Sequence, residues 1–246
     1  MKKLILASSS PRRRELIAHL QLPFVVQSAD VDETPSHGEL PRDLVLRLSR
    51  AKADAVARVN PNGASVVLAA DTIVALDGDI IGKPRDAADA EAILKRLRGR
   101  AHQVFTGATI TRTPTPNRST SAKNAGQAVR NSTEQGKGIC PLPRDEQHVA
   151  GEGWGGDSDG GSWSSVCETL VHMRNYSDDE LRAYIASQSP FDKAGAYAIQ
   201  DETFRPVARI VGCYLNVMGL PLCEVIRGLQ ALGVAVDARE PIPHES

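Results

Sequence analysis

Two apolar runs dominate the middle of the chain: Val66-Val67-Leu68-Ala69-Ala70 and Ile73-Val74-Ala75-Leu76. Unbroken apolar stretches of this kind predict a strand buried on both faces. Asp71-Thr72 interrupts the pattern. A carboxylate in such a position costs several kcal/mol, on the order of 3–5, unless it is paired or bound to metal. Shorter runs predict further strands: Leu4-Ile5-Leu6, Phe24-Val25-Val26, Val104 to about Ile110, Val166-Cys167-Glu168-Thr169-Leu170-Val171 and Val207 to Val211. Helical spacing appears between them. Leu16, Ile17 and Leu20 share one face. After Pro41, Leu44, Leu48, Ala51 and Ala55 form a stripe flanked by Val45 and Lys52. Lys52 thus sits beside the buried face, where a snorkelling lysine is the plain alternative to a functional one. Ala90 to Leu97 is stopped by Gly99, Ser177 to Glu180 spells a capping box, and Leu222 to Leu232 is closed by Gly233. Asp77-Gly78 predicts a tight turn that brings Ile80-Ile81 and Gly82-Lys83-Pro84 back toward Asp71.

From Thr113 to Ser165 the periodicity lapses, and nine of the 20 glycines fall there. The composition predicts a disordered insertion looped out between two strands. Its G-x-G-x-x-G at Gly151, Gly153 and Gly156 lacks the preceding strand and following helix of a dinucleotide site. The run Gly155 to Gly161 lacks EF-hand ligand spacing.

Composition narrows the partners. The 246 residues carry 29 Lys+Arg against 30 Asp+Glu, a net charge of −1, with 4% aromatics. No global basic field or stacking surface argues for nucleic acid, so any anion site must be local. Cys140, Cys167, Cys213 and Cys223 form no C-x-x-C pair. The few apolar residues after Met1-Lys2-Lys3 are too short for a signal peptide, and no run reaches membrane-spanning length. The expectation is a cytoplasmic protein with free thiols, no membrane partner, and sequons at Asn117, Asn131 and Asn175 without meaning.

A local anion site has a candidate in Ala7-Ser8-Ser9-Ser10-Pro11-Arg12-Arg13-Arg14. The stretch reads as strand, hydroxyl-rich turn and helix start, with Ser10 at the N-cap and Pro11 at the first helical position. That helix end presents free N–H groups and about half a positive charge. Three arginines there oppose the dipole unless an anion binds, and arginine forks with serine hydroxyls suit phosphate. A solvated basic turn is the plain alternative. Asp32-Glu33, just past the second strand, is either a site pair or a solvated turn.

Taken together, Ser8-x-Ser10-Pro11-Arg12-Arg13, Asp32-Glu33, Lys52, Ala70-Asp71-Thr72, Gly82-Lys83-Pro84, Asp192-Lys193-Ala194-Gly195-Ala196-Tyr197-x-x-Gln200 and Asn216-Val217-x-Gly219-Leu220-Pro221 stand in the order of the Maf family, which the chain resembles over residues 1–112 and 166–236. The resemblance implies a single Maf-like domain over 1–246, interrupted at about 113–165. It implies an α/β fold, similar to the inosine triphosphatases: a two-lobed mixed sheet with flanking helices around a central cleft. It implies a nucleoside triphosphate pyrophosphatase that uses a divalent metal, Mg²⁺ or Mn²⁺, and whose partner is a small-molecule nucleotide; a homodimer stays open. Asp201 stands where the family usually has glycine, and Cys213 where serine is common.

On that resemblance, Arg13, Lys52 and Lys83 gather the triphosphate, with Ser8 and Ser10 donating hydrogen bonds. Glu33 and Asp71 are the metal ligands, and Asp71 is the base that orients or deprotonates water. Arg12, Asp71-Thr72 and Lys193 to Tyr197 ending in Gln200 resemble the dTTP/UTP subgroup, with Arg12, Thr72 and Gln200 reading the base. The rival readings are a non-catalytic nucleotide-binding regulator of septum formation, the same chemistry on 7-methyl-GTP, and a nucleic-acid module built on the arginine turn.

Overall fold

The computed structural model describes residues 3–61, 63–115 and 161–236. The glycine motif at Gly151, Gly153 and Gly156, most of the Gly155 to Gly161 run, Cys140, and the sequons at Asn117 and Asn131 lie outside the described residues.

The long apolar run forms one strand, β3 (Ser65–Leu76), in which Asp71 and Thr72 continue the extended backbone without a break. Around it a seven-stranded sheet forms in the order β2-β1-β3-β5-β6-β7, with β4 also on β3. Here β1 is Lys3–Leu6, β2 Phe24–Val26, β4 Asp79–Ile81, β5 Ala101–Arg112, β6 Ser162–Met173 and β7 Val207–Val211. β1 lies parallel to both β2 and β3, while the β3–β5, β5–β6 and β6–β7 pairings are antiparallel. The architecture is therefore mixed α/β, with helices on both faces.

β3 divides its side chains by parity, as the pleat requires. Val67, Ala69 and Ile73 pack toward α2 (Pro41–Arg58). Val66, Leu68 and Ala70 pack toward α1 (Pro11–Ala18), the short α5 (Tyr214–Val217) and the C-terminal α6 (Leu222–Ala231), and Val74 and Leu76 toward α3 (Ala87–Leu97) and α4 (Asp178–Ala186). Cover on both sides buries the whole strand except Thr72, which is partly exposed. The helix ends follow the expected signals. Ser10 caps α1 with Pro11 at its first position, and Ser177 and Glu180 close a complete capping box on α4.

The lapse in periodicity does not extend to Ser165. β6 begins at Ser162, opposite Thr111, and Thr113 exchanges hydrogen bonds with Ser65. These residues escape an apolar pattern because their partners are hydroxyls. Ser49, Thr109 and Ser164 form a buried chain at 2.8 and 3.1 Å, and Arg50 Nε donates to Ser164 Oγ at 3.3 Å. Satisfied hydroxyls are compatible with a strand interior, and their polarity hides the strand from a hydrophobicity scan. Close to this chain, Gly107 lies opposite Asp71, and a Cβ there would strike the Val45 carbonyl of α2. The missing side chain lets α2 sit directly on the sheet.

Another buried group is titratable. The ring of His102 on β5 meets the Tyr197 hydroxyl at 2.8 Å through Nε2. Burial, reinforced by the neighbouring His172, lowers the His102 pKa from 6.5 to about 4. The folded state thus stays unprotonated where the unfolded chain takes up a proton, so stability is held above pH 6.5 and falls as the pH drops toward 4. By pH 5 the loss is about 2 kcal/mol. Urea unfolding at pH 7.5 and 5 should show this fall, and His102→Gln should flatten it.

Candidate active site

The pairing of β3 leaves a gap along one edge. β1 covers that edge from Ser65 to Leu68, and β4 covers it from Val74 to Leu76. Because β5 pairs with the opposite edge throughout, the stretch Ala69 to Ile73 has no strand on the β1 side. A cavity of about 660 Å³ opens at this gap, within the usual size of a small-molecule site. The gap exposes both faces of the strand at once: Asp71 enters the cavity from the α2 face and Thr72 from the other.

On the first face Lys52 meets two carboxylates. Its Nζ lies 2.5 Å from Asp71 Oδ1 and 2.6 Å from Glu33 Oε1. Asp71 and Lys52 are nearly buried, at 10% and 12% side-chain exposure, whereas Glu33 is 63% exposed. The lysine beside the apolar stripe of α2 is thus the partner that the buried aspartate requires. No group of three or more His, Cys, Asp or Glu residues close enough to hold a metal occurs among the described residues.

On the second face Arg13 acts as a clamp. Its Nη1 donates to the Ala70 carbonyl at 2.7 Å and more weakly to Ser8 Oγ at 3.5 Å. Nε donates to the Gly219 carbonyl at 2.8 Å, and Nη2 to Thr72 Oγ1 at 2.9 Å. Burial pulls its pKa below the usual value, partly offset by the charge of Asp71. Four of its five N–H donors therefore face protein acceptors, so Arg13 braces the wall of the cavity that it also lines. The free carbonyl of Ala70 explains the geometry: the gap in pairing leaves an acceptor that a strand would otherwise fill.

Ser8, Ser10, Arg12 and Lys83 also line the cavity. Ser8 is buried and accepts the Ser10 backbone N–H at 3.2 Å. Arg12 pairs with Asp192 at 3.4 Å, and Lys83 stands exposed at the rim after β4. Gln200 does not line it. The Ala198 N–H is held by the Tyr184 hydroxyl at 3.1 Å, and the chain then places Ile199 inward and Gln200 in an exposed turn.

A family model described as Maf-like protein matches residues 3–135 and 149–232. The chain belongs to the Maf family. Relatives named dTTP/UTP pyrophosphatase match along nearly their whole length. One from Geotalea uraniireducens is 40% identical over 230 residues, covering 94% of this chain and 95% of its own. One from Symbiobacterium thermophilum is 38% identical over 236 residues, covering 96% and 97%. One from Myxococcus xanthus is 39% identical over 236 residues, covering 96% and 95%.

Within this Maf chain the cavity also recruits residues to which the sequence assigned no role. Asp192 and Lys193 line it beside Arg12, and Lys193 Nζ bonds both the Asp192 carboxylate and the Ser189 carbonyl. The opposite charges side by side, just ahead of a run of small residues, were the available signal. For Arg13, Arg13→Lys keeps the charge but cannot reach the four separated acceptors. It should lower stability by about 2–3 kcal/mol in urea titration, well beyond an ordinary surface substitution.

Proposed function

We propose that this Maf protein hydrolyses dTTP and UTP to the monophosphate and pyrophosphate, a reading supported by its relatives and by the acid–base chemistry available at the gap in β3. The observation that carries it is the Asp71 carboxylate, held by Lys52 at 2.5 Å where the strand edge opens to the cavity. Asp71 accepts a proton from water as the water oxygen bonds to the α-phosphorus. The bond from that phosphorus to the bridging oxygen breaks, and pyrophosphate leaves carrying the bridging oxygen. Lys83, Ser8, Ser10 and the remaining N–H of Arg13 face the polyphosphate, and Lys52 holds Asp71 in place while adding positive charge. Most of the acceleration comes from positioning and charge neutralisation.

Glu33 and Asp71 fit a divalent cation of the Mg²⁺ or Mn²⁺ kind. Two hard carboxylates are the share a protein gives such an ion when phosphate oxygens and water complete its shell. Bound there, the cation would supply charge neutralisation on the phosphate oxygens. The base is read from the Thr72 and Arg12 side of the cavity. We place the nucleotide site within a single Maf-like domain and the protein in the cytoplasm. No helix among the described residues is long and apolar enough to cross a membrane.

Pyrophosphate release should be fastest with dTTP and UTP, behind them CTP, and should stop on chelation and return with Mg²⁺ or Mn²⁺. Fastest release from 7-methyl-GTP would reassign the substrate, and no release from any nucleotide would favour a non-catalytic binder. Asp71→Asn keeps the shape and removes the basicity, so turnover should fall at least roughly 10²-fold with the fold retained by circular dichroism. A folded variant with near-normal turnover would overturn the base assignment.

A further inference from the structure

The hydroxyl of Thr72 is one end of a buried chain of hydrogen bonds whose directions can be assigned. Thr106 on β5 lies opposite Thr72 in the register and is fully buried. Its Oγ1 is 3.0 Å from the Asn216 carbonyl oxygen, which can only accept, so Thr106 gives its single proton there. In the 2.9 Å contact between the two threonines, Thr106 is therefore the acceptor and Thr72 the donor. Arg13 Nη2 donates into a lone pair of Thr72 at 2.9 Å. The other acceptor near the Thr72 proton, the Gly219 carbonyl at 3.5 Å, also belongs to the protein and already takes Arg13 Nε. Thr72 has no proton left for the cavity it lines, and one lone pair to offer.

The chain is anchored beyond Thr106. The Asn216 amide donates to the Val104 carbonyl and to Thr169 Oγ1, each at 2.9 Å, and Thr169 donates to the Cys213 carbonyl at 3.0 Å while accepting the Cys213 N–H at 3.1 Å. The Asn216 carbonyl that receives the Thr106 proton, in the short helix Tyr214–Val217, is thereby fixed against β5 and β6.

We propose that Thr106 is a specificity-determining positioning residue: by accepting the Thr72 proton it makes Thr72 a pure acceptor toward the cavity, which favours a base edge carrying a ring N–H. This rests on the dTTP/UTP reading above and deepens it. Thymine and uracil present an N3–H between two carbonyls. Cytosine presents a bare N3 lone pair, which would face the lone pair of Thr72. A site built around one hydrogen-bond direction rejects the opposite pattern, because the mismatch leaves polar groups unpaired.

The test uses the full chain with UTP, CTP and N3-methyl-UTP, reading kcat and KM separately by pyrophosphate release. In the unaltered protein, CTP and N3-methyl-UTP should fall at least about tenfold below UTP in kcat/KM. Thr106→Val leaves the Thr72 proton the long 3.5 Å contact to the Gly219 carbonyl, weak enough for the hydroxyl to turn to the cavity, so the UTP:CTP ratio should fall about fivefold, and Thr106→Ser should restore it. A merely structural role would lower both substrates together and leave that ratio unchanged. An unchanged ratio in folded Thr106→Val overturns the proposal, as does N3-methyl-UTP turned over like UTP by the unaltered protein. If Thr106→Val does not fold, the N3-methyl-UTP comparison decides. No release from UTP by the unaltered protein would sink the proposed activity and this inference together, whereas release with an unchanged ratio sinks the inference alone.

Discussion

One buried guanidinium joins the pieces from which the cleft is made. Arg13 comes from the first turn of α1, yet its bonds end on β3 and on the loop that closes at Gly219. A buried cation is costly unless carbonyls or an opposite charge compensate. Here both do: the Ala70 and Gly219 carbonyls receive its protons, and the field of Asp71 from the other face of β3 works against its desolvation. The carboxylate read as the base and the cation that shapes the site are therefore electrostatically coupled, although no hydrogen bond joins them in the described contacts.

The partition of β3 by parity gives adjacent residues two different sets of partners. Asp71 faces the helix that carries Lys52, while Thr72 faces the hydroxyl chain through Thr106 to Asn216. Neighbouring residues of a buried strand normally serve unrelated parts of a core. The gap between β1 and β4 lets both look into one cavity, so the proposed catalytic carboxylate and the proposed base-reading hydroxyl are one peptide bond apart. Gly107 completes the arrangement by letting α2 approach β5 closely enough for Lys52 to reach across to Asp71.

The sequence was informative where burial and polarity conflict. Asp71 stood out because an apolar run has no inexpensive place for a carboxylate, and Lys52 because it flanked an apolar stripe. Strand and helix positions followed from periodicity for the same reason. Direction was not legible. Nothing in Ser-Pro-Arg-Arg says that Arg13 turns inward to an unpaired carbonyl while Arg12 reaches Asp192, since that depends on a gap in strand pairing set by residues far away. Gln200 was assigned to the base through the family motif alone, and a motif does not say that Ile199 lines the cavity while Gln200 sits in an exposed turn. The start of β6 was hidden because Ser164 and Ser165 are buried through hydroxyl partners and register rather than through apolar side chains.

The uncovered edge of β3 has a consequence for solubility as well as for binding. A strand edge with free N–H and C=O groups is a template on which another extended chain can add, and natural proteins blunt such edges with charge, brevity or cover. This one is short, recessed between β1 and β4, and bordered by Lys52, Arg12 and Asp71, while Arg13 occupies the Ala70 carbonyl that an incoming strand would need. The same features that keep the cavity open to a small polar molecule keep it closed to a polypeptide. Self-association through β-strand addition is thus opposed along the stretch of β3 that no strand covers among the described residues.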